Sequence, residues 1–137
     1  MNNRNLPRGY RNCNPGNLRK SKDKWRGLRE EQTDNAFFQF ETMAYGYRAM
    51  FITLRNYRKR HGCITLASII NRYAPPSENS TSSYLAFVCN ELQVPTTYEP
   101  DVNDRDTMCA LVAAMSKVEN GLPPIMDDIY KAWEIIG

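Results

Sequence analysis

Two proline pairs, Pro75-Pro76 and Pro123-Pro124, constrain the fold of this chain more than any other feature. A proline lacks the amide hydrogen that a helix interior needs, and it pushes the preceding residue out of helical geometry. Helices must therefore stop before each pair and begin again after it. The apolar residues agree with that division, because between the breaks they recur at spacings of three and four. Tyr47, Met50, Phe51, Leu54 and Tyr57 or Arg58 mark a long helix that starts at an N-cap on Thr42 and runs to about residue 60, where His61-Gly62 ends it. Leu66, Ile69 and Ile70 mark a second over residues 65–72. Tyr84, Phe87, Val88 and Leu92 mark a third from about residue 80. A fourth, over residues 104–119, carries Met108, Leu111, Val112, Met115 and Val118, and a last one carries Ile125, Ile129, Trp133 and Ile136.

The first half reads differently. Residues 1–22 form a polar, basic segment with a turn at Asn14-Pro15-Gly16-Asn17. Residues 25–30 and 37–41 read as two short strands around Thr33-Asp34-Asn35-Ala36, which predicts a β-hairpin. The expected class is mainly α with one small hairpin (α+β), as a single domain over residues 1–137. A hydrophobic fraction of 42% and a charged fraction of 24% suit a soluble globular protein with one core. No apolar run reaches the roughly 18–20 residues of a membrane span, so no membrane partner is expected. The N-terminus lacks the apolar stretch of a secretion signal.

Net charge is only +3, but residues 1–29 hold nine Arg and Lys against one Asp. A second basic cluster is Arg55, Arg58, Lys59, Arg60 and His61. Such patches suit an anionic polymer, either nucleic acid or bacterial cell wall. Several chemistries are disfavoured. The four cysteines are scattered without a CxxC pair, and with a single histidine they give no metal-ligand spacing. Isolated glycines cannot build a phosphate cradle, so no cofactor and no metal are expected.

Carboxylates remain as the candidate chemistry. Glu119 ends the fourth helix, on its inward side and just before Asn120-Gly121, which can close a helix in the left-handed conformation. There it faces the negative end of the helix dipole and loses water, and both effects raise a carboxyl pKa. A general acid working near neutral pH needs that shift. Glu41 and Glu78 are candidate second carboxylates. Tyr73, leaving a helix before a rigid proline turn, either caps the core or lines a cleft where its hydroxyl can bond a sugar.

The run Arg8-Gly9-Tyr10-Arg11-Asn12-Cys13-Asn14-Pro15-Gly16-Asn17-Leu18-Arg19 resembles an RGxRNxNPGNxR signature of bacteriophage virion and lytic transglycosylase-like proteins. The resemblance continues through Tyr45-Gly46-Tyr47-Arg48-Ala49, Arg72-Tyr73-Ala74-Pro75-Pro76-Ser77-Glu78-Asn79 and Tyr84 to Glu119-Asn120-Gly121. More distantly, the Glu119 and Tyr73 segments resemble elements of goose-type and soluble lytic transglycosylases, with the glutamate element moved to the end. That order implies a lysozyme-like fold in circularly permuted form, with Glu119 and Tyr73 facing one cleft.

The resemblance implies a peptidoglycan-cleaving glycosidase, a lytic transglycosylase or muramidase, cutting between N-acetylmuramic acid and N-acetylglucosamine. Glu119 would be its acid and base, and Tyr73, Asn17, Gln39 and Asn79 its substrate contacts. Peptidoglycan glycan strands and other virion proteins are the implied partners. The implied location is the virion or the host cytoplasm, with action on the wall. The alternative is a non-catalytic virion or wall-binding protein on the same scaffold. Nucleic-acid binding through Tyr10, Trp25 and the basic N-terminus is a third reading, supported by charge alone.

Overall fold

The computed structural model describes residues 5–76 and 80–136. In chain order its helices are α1 (Arg8–Arg11), α2 (Met43–His61), α3 (Leu66–Tyr73), α4 (Thr81–Leu92), α5 (Arg105–Asn120) and α6 (Met126–Glu134). The caps are those the side chains dictate. Thr42 Oγ1 accepts from the Tyr45 amide at 3.2 Å, Thr65 Oγ1 from Ser68 at 3.2 Å, and Asp104 from Thr107 at 2.9 Å. Gly62 and Gly121 close α2 and α5 with φ of 64° and 68°, a region that glycine enters without steric cost. The short α1 lies inside the segment that reads as polar turn, since four residues are too few to show a period.

One large core lies among the long helices. α2 packs against α6, α5 and α3, and α5 also packs against α4 and α6. The predicted stripes supply this core: Tyr47, Met50, Phe51 and Leu54 from α2, Leu66, Ile69 and Ile70 from α3, Met108, Leu111 and Met115 from α5, and Ile129 from α6 are all buried. The Tyr47 hydroxyl and Ser116 Oγ share a buried hydrogen bond of 2.8 Å, joining α2 to α5. A smaller cluster of Phe38, Phe40 and Ala49, with Leu18, Trp25, Leu28 and Tyr45 against it, fixes residues 12–41 to another side of α2.

The expected β-hairpin does not form, so the α+β assignment is corrected to an all-helical one. Residues 37–41 make isolated bridges to two different segments, Arg19 with Phe37 and Leu28 with Phe40, and no sheet follows among the described residues. The reason is local competition for backbone groups. The Gln32 side chain donates to the Gln39 carbonyl and accepts from the Gln39 amide, both at 2.8 Å. Asp34 Oδ1 accepts from the Ala36 and Phe37 amides at 2.9 and 3.0 Å. Besides these side-chain bonds, the segment divides its backbone bonds between residues 18–20 at one end (Phe38 amide to the Leu18 carbonyl, 3.1 Å) and residues 27–29 at the other (Arg29 amide to the Gln39 carbonyl, 3.0 Å), so neither pairing extends past a single bridge. Among the described residues no helix is long and apolar enough to cross a membrane.

Candidate active site

The site is built where the last turn of α5 meets the turn at residues 14–17. Asn120, the final residue of α5, donates to the Ser116 carbonyl at 2.9 Å and to the Pro15 carbonyl at 2.8 Å. One amide therefore ties off the helix end and docks the turn on it. Asn14 holds the turn from the other side, donating to the carbonyls of Leu18 (3.0 Å) and Phe38 (2.9 Å) and accepting from the Leu18 amide (2.9 Å). The Tyr73 hydroxyl, at the end of α3, donates to the Gly16 carbonyl at 2.5 Å. Gly16 is glycine for a steric reason, because a Cβ there would collide with the Tyr73 hydroxyl and the Met50 side chain.

Glu119 is the carboxylate set in this frame. Asn17 Nδ2 donates to its Oε1 at 2.9 Å. Glu119 lines two cavities. One, of about 460 Å³, is lined by Asn17, Arg19, Phe37, Arg72, Tyr73 and Glu119 among others. The second, of about 540 Å³, is lined by Ser80, Ser83, Tyr84, Phe87, Lys117 and Glu119 among others. Among the described lining residues, Glu119 alone belongs to both. The first cavity presents guanidinium groups and amides; the second presents hydroxyls and an aromatic ring, with Lys117 Nζ 5.6 Å from the Phe87 centroid.

Burial pushes the Glu119 pKa above its ordinary value, and the Asn17 amide and Tyr84 hydroxyl only partly offset that. The position at the C-terminal end of α5 acts in the same direction as burial. Tyr84 Oη is buried beside the carboxyl, near enough to influence it, yet makes no hydrogen bond of normal geometry. The buried side-chain polar atoms without a partner among the described residues are Asn17 Oδ1, Tyr84 Oη and Asn120 Oδ1, and all three residues adjoin Glu119. Unsatisfied buried polar atoms are rare in folded proteins, so their clustering here marks a region not optimised for stability alone. The phenols of Tyr73 and Tyr84 are held well above their ordinary pKa, first by burial and then by the charge of Glu119.

The structure brings together three of the residues expected from sequence: Glu119, Tyr73 and Asn17 line one cavity. Gln39 is elsewhere. Its Oε1 accepts from the Thr33 amide at 2.6 Å and its Nε2 donates to Asn12 Oδ1 at 3.1 Å, in a separate surface groove beside Arg8 and Asp34. Glu41 is exposed and lines neither cavity. Glu78 and Asn79 lie outside the described residues. Sequence reasoning missed Tyr84, Arg72 and Asn120 as parts of the site. Tyr84 reads as a core residue by its spacing, and Asn120 as a helix cap; Arg72 adjoins Tyr73, which is the one signal that could have found it. Among the described residues no group of three His, Cys, Asp or Glu is placed to hold a metal ion.

No protein-family model matches the chain. Over 131 residues it is 37% identical to Protein P5 of Pseudoalteromonas phage PM2, an alignment covering 93% of this chain and 80% of that one.

Proposed function

The chain belongs to the family of Protein P5 of Pseudoalteromonas phage PM2, a phage protein, and from that premise we propose that it cleaves peptidoglycan as a glycosidase. The observation that carries the reading is a single carboxyl group with a raised pKa on the wall shared by two cavities. A glycan strand lying across that wall would place sugars on both sides and its glycosidic oxygen over Glu119.

In this mechanism Glu119 begins protonated, because burial holds its proton to higher pH. It gives the proton to the glycosidic oxygen as the bond from that oxygen to C1 of the muramic acid breaks. The N-acetylglucosamine leaves with a free 4-hydroxyl. The 6-hydroxyl of the same muramic acid then bonds to C1, and its proton passes to the Glu119 carboxylate. The acid is restored, and the product carries a 1,6-anhydro ring. One carboxyl serves both steps, which suits a site where Glu119 is the only carboxylate among the described lining residues of both cavities. Attack by water would instead call for a second carboxylate on the opposite sugar face.

Tyr73 contributes through position. Its hydroxyl is engaged by Gly16, so it fixes the turn that presents Asn17 to Glu119, while its ring lines the cavity. Turbidity loss of purified cell walls tests the proposal. The native chain should clear them and Glu119→Gln should not. Equal clearing by both would remove Glu119 from the mechanism. Absence of clearing with retained sedimentation on walls would identify a wall-binding virion protein instead.

A further inference from the structure

The cationic cavity does not end at Tyr57. That residue also lines a third cavity, of about 360 Å³, with Lys24, Trp25, Asn56, Arg60, His61 and Asp23 around it. Three rings run from one cavity to the next: His61 stands edge-on to Tyr57 with centroids 6.4 Å apart, and Tyr57 stands edge-on to Tyr73 at 6.3 Å. The Arg72 guanidinium lies over the Tyr57 ring at 5.2 Å. The three cavities are therefore linked in sequence by shared lining residues, the third to the first through Tyr57 and the first to the second through Glu119.

Trp25 gives the third cavity its character. It packs against the Phe38, Phe40 and Ala49 cluster yet stays partly exposed at the cavity wall. An indole held in this way is an amphipathic platform, apolar in its ring and open to a ligand that is part apolar face and part hydroxyl. Lys24 and Arg60 are exposed cations at the same wall, and the acid there, Asp23, already accepts from Ser21 Oγ at 3.0 Å. Sugar-stacking surface and positive charge together match a polysaccharide that carries carboxylates.

We infer that the third cavity is a distal subsite for the glycan strand, where a sugar stacks on Trp25 and a lactyl or stem-peptide carboxylate pairs with Lys24 or Arg60. The inference rests on the glycan-cleaving reading and adds to it a preference for long strands, with the longer arm of the substrate on the Tyr57 side of Glu119.

Intrinsic fluorescence tests it directly, because the chain has two tryptophans, Trp25 and Trp133. In a Trp133→Phe, Glu119→Gln double variant the only indole is Trp25, and the glycan is not cut. Purified glycan strands of two and of five disaccharides are titrated. The expected result is a Trp25 emission change with the longer strand, at a Kd at least tenfold lower than with the shorter. Adding Arg60→Glu or Lys24→Glu, both at exposed positions, should abolish that advantage. In the cleaving enzyme Trp25→Ala should lower the ratio of kcat/KM for long over short strands about tenfold, and Trp25→Phe should restore most of it. Equal affinity for both lengths, or no emission change with either, overturns the inference. A response to single-stranded DNA but not to glycan also overturns it and assigns the groove to nucleic acid. The catalytic reading fails on a separate readout, wall clearing by Glu119→Gln, so the two failures are distinguishable.

Discussion

Two carboxylates of this molecule meet opposite fates. Asp34 accepts five hydrogen bonds: two from Arg8, at 2.7 and 2.6 Å, one from Asn12 at 2.9 Å, and those from the Ala36 and Phe37 amides. Its pKa falls well below the usual carboxylate range, chiefly through the Arg8 hydrogen bonds. Glu119 is desolvated too, but it receives one neutral amide, from Asn17, and no cation, and its pKa rises. Both groups are polar side chains at the edge of a packed helical body. The difference lies in how many donors, and which charges, reach them. A carboxylate saturated by a cation and backbone amides organises a loop and has little capacity left for chemistry. One that is poorly solvated and thinly bonded holds its proton to higher pH than an ordinary carboxyl, the direction a general acid needs.

Substitutions that exchange these roles give the largest effects. Glu119→Gln should reduce wall clearing by roughly 10²- to 10⁴-fold, the usual worth of a general acid, without lowering Tm at neutral pH. Glutamine still accepts from Asn17 and carries no charge to desolvate. Asp34→Ala should do the reverse, lowering Tm by roughly 5 °C or more as Asn12 and two loop amides lose their acceptor. A Glu119→Gln protein that melts much earlier, or an Asp34→Ala protein that does not, would break the comparison.

The pH dependence should separate the pair next. The folded pKa of Asp34 lies below its unfolded one, so the stability it contributes is fully present above the ordinary aspartate value and is lost progressively as pH falls from there towards the folded value. Asp34→Asn should therefore be nearest to the native chain in Tm under acid conditions. The folded pKa of Glu119 lies above its unfolded one, so its contribution is present below the ordinary glutamate value and is lost as pH rises through the folded value. Relative to Glu119→Gln, the native chain should lose Tm over that rise. Melting curves across pH check both signs. The smallest effect is expected at Asn17, whose amide lowers the Glu119 pKa. Asn17→Gly suits the positive φ of 49° at this position and removes the donor, so the alkaline limb of the clearing profile should move to higher pH.

The same contrast explains what could be read in the sequence. The long helices and their caps were legible because helical period and proline breaks are local properties. Met115 and Ile129 announce their burial by spacing alone. The hairpin was misread because a local strand pattern in residues 37–41 says nothing about the Gln32 and Asp34 side chains that bond this backbone, or about its division between residues 18–20 and 27–29. In the site, Glu119 was legible from its place at a helix end. Gln39 was not, because its buried amide is committed to Thr33 and Asn12 by contacts that only folding creates. Tyr84 and Arg72 reach the cavities through packing between helices, which no spacing rule encodes.

The central claim is that Glu119 holds a proton at working pH and loses activity with it. Carbon NMR titration of the glutamate carboxyls, with the Glu119 signal assigned by its absence from Glu119→Gln, tests this most directly when set beside the pH profile of wall clearing. The account predicts a Glu119 midpoint above the ordinary glutamate range that coincides with the alkaline limb of clearing. A midpoint at or below that range, or undiminished clearing where the carboxyl is fully ionised, would contradict it.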